Sequence, residues 1–159
     1  MNAVTTTRVD AAWRALDAVP DPEVPAISIV ELGIVRAVSE ADDGLLEVTL
    51  TPTYSGCPAT EVIEASVREA LAPLGRVRVR QQRAPAWTTD WISDEGRRKL
   101  RDYGIAPPGS AVVRVHARVA CPRCGSVHTE RLSAFGATAC KSLYRCLACR
   151  EPFEYFKPI

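Results

Sequence analysis

Thr51-Pro-Thr-Tyr-Ser-Gly-Cys-Pro58 is the stretch on which the reading of this chain turns. The apolar run Leu45-Leu-Glu-Val-Thr-Leu50 precedes it as a strand pattern, and Ala59–Leu71 follows with the period of an amphipathic helix. Pro58 suits the first helical turn, where a missing N–H costs nothing. Cys57 is therefore expected at or next to the helix N-cap, where unpaired backbone N–H groups and the positive end of the helix dipole gather. That setting favours the thiolate, the form of cysteine that binds metals and attacks electrophiles. Gly56 allows close approach of a ligand or another backbone. The competing reading makes Cys57 a small buried apolar residue, as free cysteines often are.

Toward the N-terminus, Ala41-Asp-Asp-Gly44 has hairpin-turn chemistry and joins Leu45–Leu50 antiparallel to a strand over Ile34–Val38. Ser28–Leu32 reads as a short helical turn or loop, with Gly33 marking a bend or close packing. Asp21-Pro-Glu-Val-Pro25 is too rich in proline for regular structure, which puts Asp21 and Glu23 in an exposed turn. They read as a solvated turn or as ligands and partner contacts. Asp10 is placed to cap a helix over Ala11–Val19 with Ala12, Trp13 and Leu16 inward, and Pro20 to stop it. Residues 1–8 read as a frayed tail.

On the helix after Cys57, Val62, Ile63, Val67, Ala70 and Leu71 form the apolar stripe, and Glu64 and Arg68 stand at i,i+4. Pro73 ends that helix. Gly75-Arg-Val-Arg-Val-Arg80 alternates as a strand with one wet face, its arginines solvated on an outer strand. Trp87-Thr-Thr-Asp-Trp91 lies on an irregular segment, where the tryptophans either pack inward or dock a partner. Ser93 caps a helix over Asp94–Tyr103 that Gly104 closes, with Ile105 folding back on it. Pro107-Pro108 marks a boundary, and Ala111–Ala120 is a further strand pattern.

Cys121-Pro-Arg-Cys124 and Cys146-Leu-Ala-Cys149 are two C-x-x-C knuckles. Each aims two thiolates at one point, and two together close the tetrahedron of structural zinc. Two short strands, over Val127–Leu132 and Lys141–Arg145, with a turn at Phe135-Gly136, fit between them. The same ligands suit a single iron or an iron–sulfur cluster, but paired knuckles in a small β module favour zinc. Cys140 reads as a buried filler. His116 and His128 read as surface residues, since four cysteines already saturate the site. Phe153, Tyr155 and Phe156 cover the module's small core.

The chain has 159 residues, 47% of them apolar, with 20 Lys+Arg against 19 Asp+Glu. Charge this balanced draws the protein to neither nucleic acid nor an anionic membrane. No apolar run reaches the roughly 20 residues a membrane span needs, and the start lacks a signal-peptide pattern. The expectation is a cytoplasmic protein whose six cysteines serve metal ligation or reactivity rather than disulfides. The fold class is α+β: a small three-stranded sheet with helices over 10–80, a tryptophan-containing connection over 81–110, and a zinc ribbon over 111–159. A hydrolase with Cys57 as nucleophile lacks a histidine near it in sequence.

Asp21-Pro-Glu-Val-Pro25, Ile29-Val-Glu-Leu-Gly-Ile-Val35 and Leu50–Pro58 resemble the signature of the SufT-like domain of iron–sulfur assembly proteins. Trp87–Trp91, Phe135-Gly-Ala-Thr-Ala-Cys-Lys141 and Tyr144–Phe156 are similar to the PaaD (PaaJ) family of the bacterial phenylacetyl-CoA epoxidase system. The resemblance implies an accessory or maturation role in phenylacetate degradation rather than catalysis. It implies a functional thiol, or transient iron or iron–sulfur ligand, at Cys57, supported by Asp21, Glu23, Glu31 and Thr53. The implied partners are the di-iron oxygenase subunits or the flavin and iron–sulfur reductase, with a homodimer as one way to share ligation. The alternative is a stable structural or electron-relay subunit of the oxygenase complex.

Overall fold

The computed structural model describes residues 7–109 and 118–159. The strand expected over Ala111–Ala120 falls largely outside them, as do His116 and residues 1–6 of the expected tail. The chain divides into two units, Met1–Trp87 and Thr88–Ile159.

The first unit begins with α1 (Arg8–Asp17), three residues earlier than expected. Thr7, not Asp10, is the N-cap. Thr7 Oγ1 accepts the Asp10 N–H at 3.1 Å, and Asp10 Oδ2 accepts the Thr7 N–H at 3.0 Å. This capping box satisfies two end donors at once. Nor is Arg8 part of a tail: it forms an ion pair with Glu40 and donates to the Gly44 and Leu74 carbonyls. Ala12 and Leu16 are fully buried and Trp13 half-buried.

Residues 18–34 form a loop with an apolar interior. Val24, Ile27, Ile29, Leu32 and Ile34 are all buried, and backbone bonds such as Ile29 N–H to Val19 O (3.0 Å) close the turns. Two antiparallel strands follow, β1 (Val35–Glu40) and β2 (Leu46–Leu50), in the expected hairpin. Gly44 adopts φ 75° in its turn, a conformation costly for side-chain-bearing residues. After β2 the chain leaves the sheet, forms α2 (Thr60–Leu71), and returns as β3 (Val77–Gln81), which pairs parallel to β2. The sheet order is β1-β2-β3.

α1 packs on β1, α2 on β3, and the helices touch each other. Both thus cover the face carrying Leu46, Val48 and Leu50, which are at most 2% exposed. Ile63, Val67 and Leu71 complete that core. Val62 does not: it is 52% exposed, because the buried stripe is narrower than the sequence pattern. Glu64 and Arg68 pair at 3.0 Å as expected. On the opposite face Arg78 and Arg80 share Glu47, and Arg76 meets Asp43. Exposed pairs of this kind contribute about 0–1 kcal/mol each.

Trp87 ends this unit buried (2% exposed), its indole N–H donating to the Leu32 carbonyl at 3.0 Å. It is an internal packing residue rather than a docking surface.

The second unit opens with a 3-10 turn, Thr89–Trp91, and α3 (Asp94–Tyr103). Ser93 Oγ accepts the Gly96 N–H at 2.9 Å, and Gly104 closes the helix at φ 94°, both as expected. Beyond it, β4 (Ile105–Ala106), β5 (Thr129–Ser133), β6 (Lys141–Cys146) and β7 (Pro152–Phe156) make a sheet of order β4-β7-β6-β5 among the described residues. Ile105 folds back, as expected, but as a short strand parallel to β7. Phe135-Gly136 lies in the β5–β6 loop, as expected of the turn between the two strands. Phe153 and Phe156 are buried, and Tyr144 stacks on Phe153 with ring centroids 5.8 Å apart.

One polar group is buried here that composition did not announce. Lys141, 3% exposed, bonds Glu154 at 2.7 Å, and Glu154 also accepts the Ala137 N–H at 2.6 Å. Gly136 crosses directly over the pair; a Cβ there would stand 2.5 Å from Glu154 Oε1 and 3.3 Å from Lys141 Cβ.

Two stability outcomes follow, both read from thermal or urea unfolding. Trp87→Phe leaves the Leu32 carbonyl without its donor and should cost about 1–3 kcal/mol. Gly136→Ala must displace a fixed carboxylate and should cost about 1–3 kcal/mol.

Candidate functional site

Cys57 sits at the carboxyl end of β2, in the turn before α2. It stands two residues ahead of the N-cap, Ala59, rather than at or beside it. The reason is a tight turn: the Cys57 carbonyl accepts both the Thr60 N–H (3.2 Å) and the Thr60 hydroxyl (2.9 Å), so Pro58 and Ala59 precede the first helical residue. The Ala59 side chain cannot cap the helix, and its N-terminal donors meet no side-chain cap.

Cys57 is half-buried. It lines an open recess of about 220 Å³ with Pro52, Ser55, Gly56, Thr60, Glu61, Gln81 and Arg83. Gly56 (φ 80°) has nothing within 4 Å of the position a Cβ would take, so access is open there. The carboxyl ends of the two parallel strands supply opposite walls: Pro52 and Cys57 follow β2, and Gln81 and Arg83 come from the end of β3. Sequence reading misses Gln81 and Arg83 because they lie more than twenty residues away. Glu61, only four residues from Cys57, is readable as a neighbour, but the helical period places it on the polar face.

The candidate supporting residues do not line this recess. Asp21 is not exposed: it is 5% accessible and its Oδ1 accepts the Glu23 and Val24 N–H groups at 2.9 and 2.8 Å. A carboxylate that caps its own turn is buried by the turn it closes. Glu23 is half-buried. Glu31 and Ser28 cap each other, Glu31 Oε2 accepting the Ser28 N–H at 2.9 Å and Ser28 Oγ the Glu31 N–H at 3.1 Å. Ser28 Oγ also donates to Asp17 at 3.1 Å. Thr53 is buried at 8% exposure within the Cys57 loop. Thr51, at the start of that loop, keeps a buried hydroxyl oxygen with no hydrogen-bond partner among the described residues.

In the second unit Cys121, Cys124, Cys146 and Cys149 converge, with all four Sγ atoms within 4.8 Å of one another. Across the knuckles, Cys121 lies 3.8 Å from Cys149 and Cys124 3.5 Å from Cys146. A tetrahedral ion with metal–sulfur bonds of about 2.3 Å needs edges of about 3.8 Å, so the donor set fits one four-coordinate ion. A multi-iron cluster interposes its own core and needs wider spacing. The knuckles share one backbone plan: Cys121 N–H bonds Ser126 O at 2.9 Å, and Cys146 N–H bonds Glu151 O at 3.0 Å. Each turns through a left-handed residue after its second cysteine, Gly125 (φ 75°) and Arg150 (φ 66°).

The electrostatics are those of a cation site. The Cys149 N–H, aided by that of Ala148, holds the Cys146 thiol down at about 6 despite its burial. Cys149 gains an N–H from Glu151, but partial desolvation and the crowding sulfurs of Cys146, Cys124 and Cys121 push it up to about 12. Four thiolates so close cannot all ionise without a positive charge among them. Cys121 and Cys146 also belong to the apolar cluster with Ala106 and Phe153, which ties the ligands to the core. Cys140 is buried apart from this group, its Sγ 3.0 Å from Thr138 Oγ1, and His128 is exposed.

A family model described as "Iron-sulfur cluster assembly protein" matches residues 9–81, and one described as "PaaD zinc beta ribbon domain" matches 106–157. Over 160 aligned residues the chain is 49% identical to an Escherichia coli (strain K12) protein provisionally named as a 1,2-phenylacetyl-CoA epoxidase subunit. The alignment covers 98% of this chain and 96% of that one. This chain belongs to the PaaD family of phenylacetyl-CoA epoxidase subunits. Its first unit has further relatives. The Bacillus subtilis (strain 168) Fe-S protein maturation auxiliary factor YitW is 40% identical over 82 residues, covering 50% of this chain and 79% of its own. The crystal structure of a domain of unknown function, DUF59, from Bacillus anthracis matches with a TM-score of 0.55 at 28% identity, covering 58% of this chain and 91% of that one. This chain thus joins a segment that matches the iron–sulfur cluster assembly model to a ribbon carrying a four-cysteine site. Among the described residues no helix is long and apolar enough to cross a membrane.

Metal removal tests the ribbon's dependence on its ion. Elemental analysis should find about one ion per chain in that site. Treatment with a strong chelator should collapse the amide NMR dispersion of residues 121–156 while residues 8–81 keep theirs, because binding and folding are coupled in so small a sheet.

Proposed function

We propose that this chain is an accessory protein of the phenylacetyl-CoA epoxidase system that assists iron or iron–sulfur cofactor assembly in the oxygenase or its reductase. In this reading Cys57 is the working thiol, the four ribbon cysteines hold structural zinc, and catalysis belongs to the other components. The observation that carries it is the placement of a half-buried, open-sided thiol at the carboxyl ends of two parallel strands, where α/β sheets bind ligands. The relatives named as maturation factors over the same unit support it.

Iron, or an iron–sulfur fragment, is the cargo here rather than a resident cofactor. One thiolate is too few for a stable cluster, which takes four ligands. Cys57 therefore acts as one ligand in a shared site, completed by the client or by a second copy. Open access at Gly56 lets the client's backbone come close. Asp21, Glu23, Glu31 and Thr53 support the site by holding the loops of this unit. The three-part division 10–80, 81–110 and 111–159, and a cytoplasmic setting, belong to the same proposal.

A second reading has one observation in its favour: the E. coli relative is named as a subunit. On that reading the chain stays in the oxygenase complex as a structural or electron-relay component. It would then copurify in fixed stoichiometry and be required in every assay, whereas an assembly factor is dispensable once its client is loaded.

The deciding experiment co-expresses the oxygenase and reductase components with wild-type chain or with Cys57→Ser. Iron and sulfide content of the purified reductase and epoxidase turnover should both fall several-fold with the variant. Wild-type levels in both would remove the role assigned to Cys57.

A further inference from the structure

The β5–β6 hairpin carries side chains that neither site uses. Phe135 is 64% exposed and Leu132 is 50% exposed. Single exposed apolar residues are ordinary on a protein surface. Phe135, however, is held on a braced loop. The Phe135 N–H donates to Ser133 Oγ at 3.2 Å, and the Gly136 N–H to Lys141 O at 2.7 Å. The Ala137 N–H is held by Glu154, itself locked to buried Lys141. Lys157 donates to the Ala134 carbonyl at 3.1 Å and sets its ammonium 4.4 Å from the centre of the Phe135 ring. Leu132 falls in the register shift between Arg131 and Ser133, a bulge of the kind that re-aims a side chain.

Two cations near these side chains are left without an acidic partner. Arg131 precedes Leu132, Lys157 covers one side of Phe135, and neither meets a carboxylate among the described residues. The nearby acids are committed elsewhere: Glu130 to Arg145 and Glu154 to Lys141. Phe135 thus stands exposed with a cation, Lys157, set against its ring. An aromatic fixed before binding loses little conformational freedom when it is covered, which is the physical basis of an interface anchor.

We propose that Leu132 and Phe135 form a docking knob whose occupant is an apolar pocket, rimmed by carboxylates, on one protein component of the epoxidase system. Phe135 enters the pocket, and Arg131 and Lys157 meet its acidic rim. The proposal rests on the partnership with the oxygenase and reductase components put forward above, and it does not depend on Cys57.

The test measures binding of the full-length, metal-loaded chain to each separately purified component by titration calorimetry, at low and high salt. Wild type should bind one of them, more weakly as salt rises. Phe135→Ala should weaken that binding at least about 30-fold, the size of an anchor-residue loss. Leu132→Ser, which lies in β5 and touches none of the bonds at 134–137, should weaken it several-fold and guards against a misfolded Phe135 variant. Arg131→Gln combined with Lys157→Gln should flatten the salt dependence. All variants should keep the metal content of wild type. Equal binding by wild type and both apolar variants would overturn the knob while leaving the partnership intact. No binding of wild type to either component would overturn the partnership, and the knob with it. If Phe135→Asp instead converts a dimer of this chain into monomers, the occupant is a second copy and the proposal fails.

Discussion

Two strands that run the same way cannot be joined by a tight turn. β2 and β3 pair in parallel, so the chain must leave the sheet after Leu50, cross over it, and re-enter at Val77. α2 is that crossover, and everything notable about the first unit follows from it. The helix brings Ile63, Val67 and Leu71 onto the sheet's apolar face. The exit loop, Thr51–Ala59, is forced to the carboxyl end of β2, beside the carboxyl end of β3. Cys57 therefore stands in a notch whose opposite wall is made by residues from the far side of the crossover. The thiol's accessibility is a product of topology before it is a product of local sequence.

The second unit answers to a different force. Crowding four sulfurs within 4.8 Å is unfavourable unless a cation neutralises them. The two buried sulfurs reach into the cluster that holds Ala106 and Phe153, while Cys124 and Cys149 face outward. The ion's charge and the sheet's small core thus support each other. Away from that end, the Lys141–Glu154 pair organises the hairpin. Buried ion pairs are weak contributors to net stability, but they fix geometry, and here the geometry fixed is that of the Phe135 loop.

Much of this is legible in the residues. Ser93 and Gly104 bracket α3 because their side-chain and backbone chemistry acts within a single turn. The C-x-x-C pairs announce their site for the same reason: the spacing itself forms the knuckle. Ala41–Gly44 predicts its hairpin by turn chemistry alone. What sequence misreads depends on competition or on distance. Thr7 outcompetes Asp10 as a cap because Asp10 serves better as the reciprocal acceptor of the same box. Asp21 looks solvated because the donors it accepts from are its own neighbours' N–H groups, which a pattern of prolines conceals. Gln81 and Arg83 beside Cys57, and Ile105 beside Glu154, are pairings across many residues that periodicity cannot reveal. Family resemblance directs attention to Cys57; it cannot supply the notch.

Trp87 and Trp91 are four positions apart, yet one closes the first unit and the other stands near the start of the second. Trp87 is buried with its indole N–H engaged, whereas Trp91 is half-buried in a 3-10 turn. Indole emission reddens when the ring meets water, so the protein carries a natural optical label for each half of itself. With Trp91 replaced by phenylalanine the remaining fluorescence belongs to the thiol-bearing half alone, through Trp13 and Trp87. Difference spectra against the unaltered protein then isolate the cysteine-rich half, and the melting of each can be followed in one cuvette without attaching a dye.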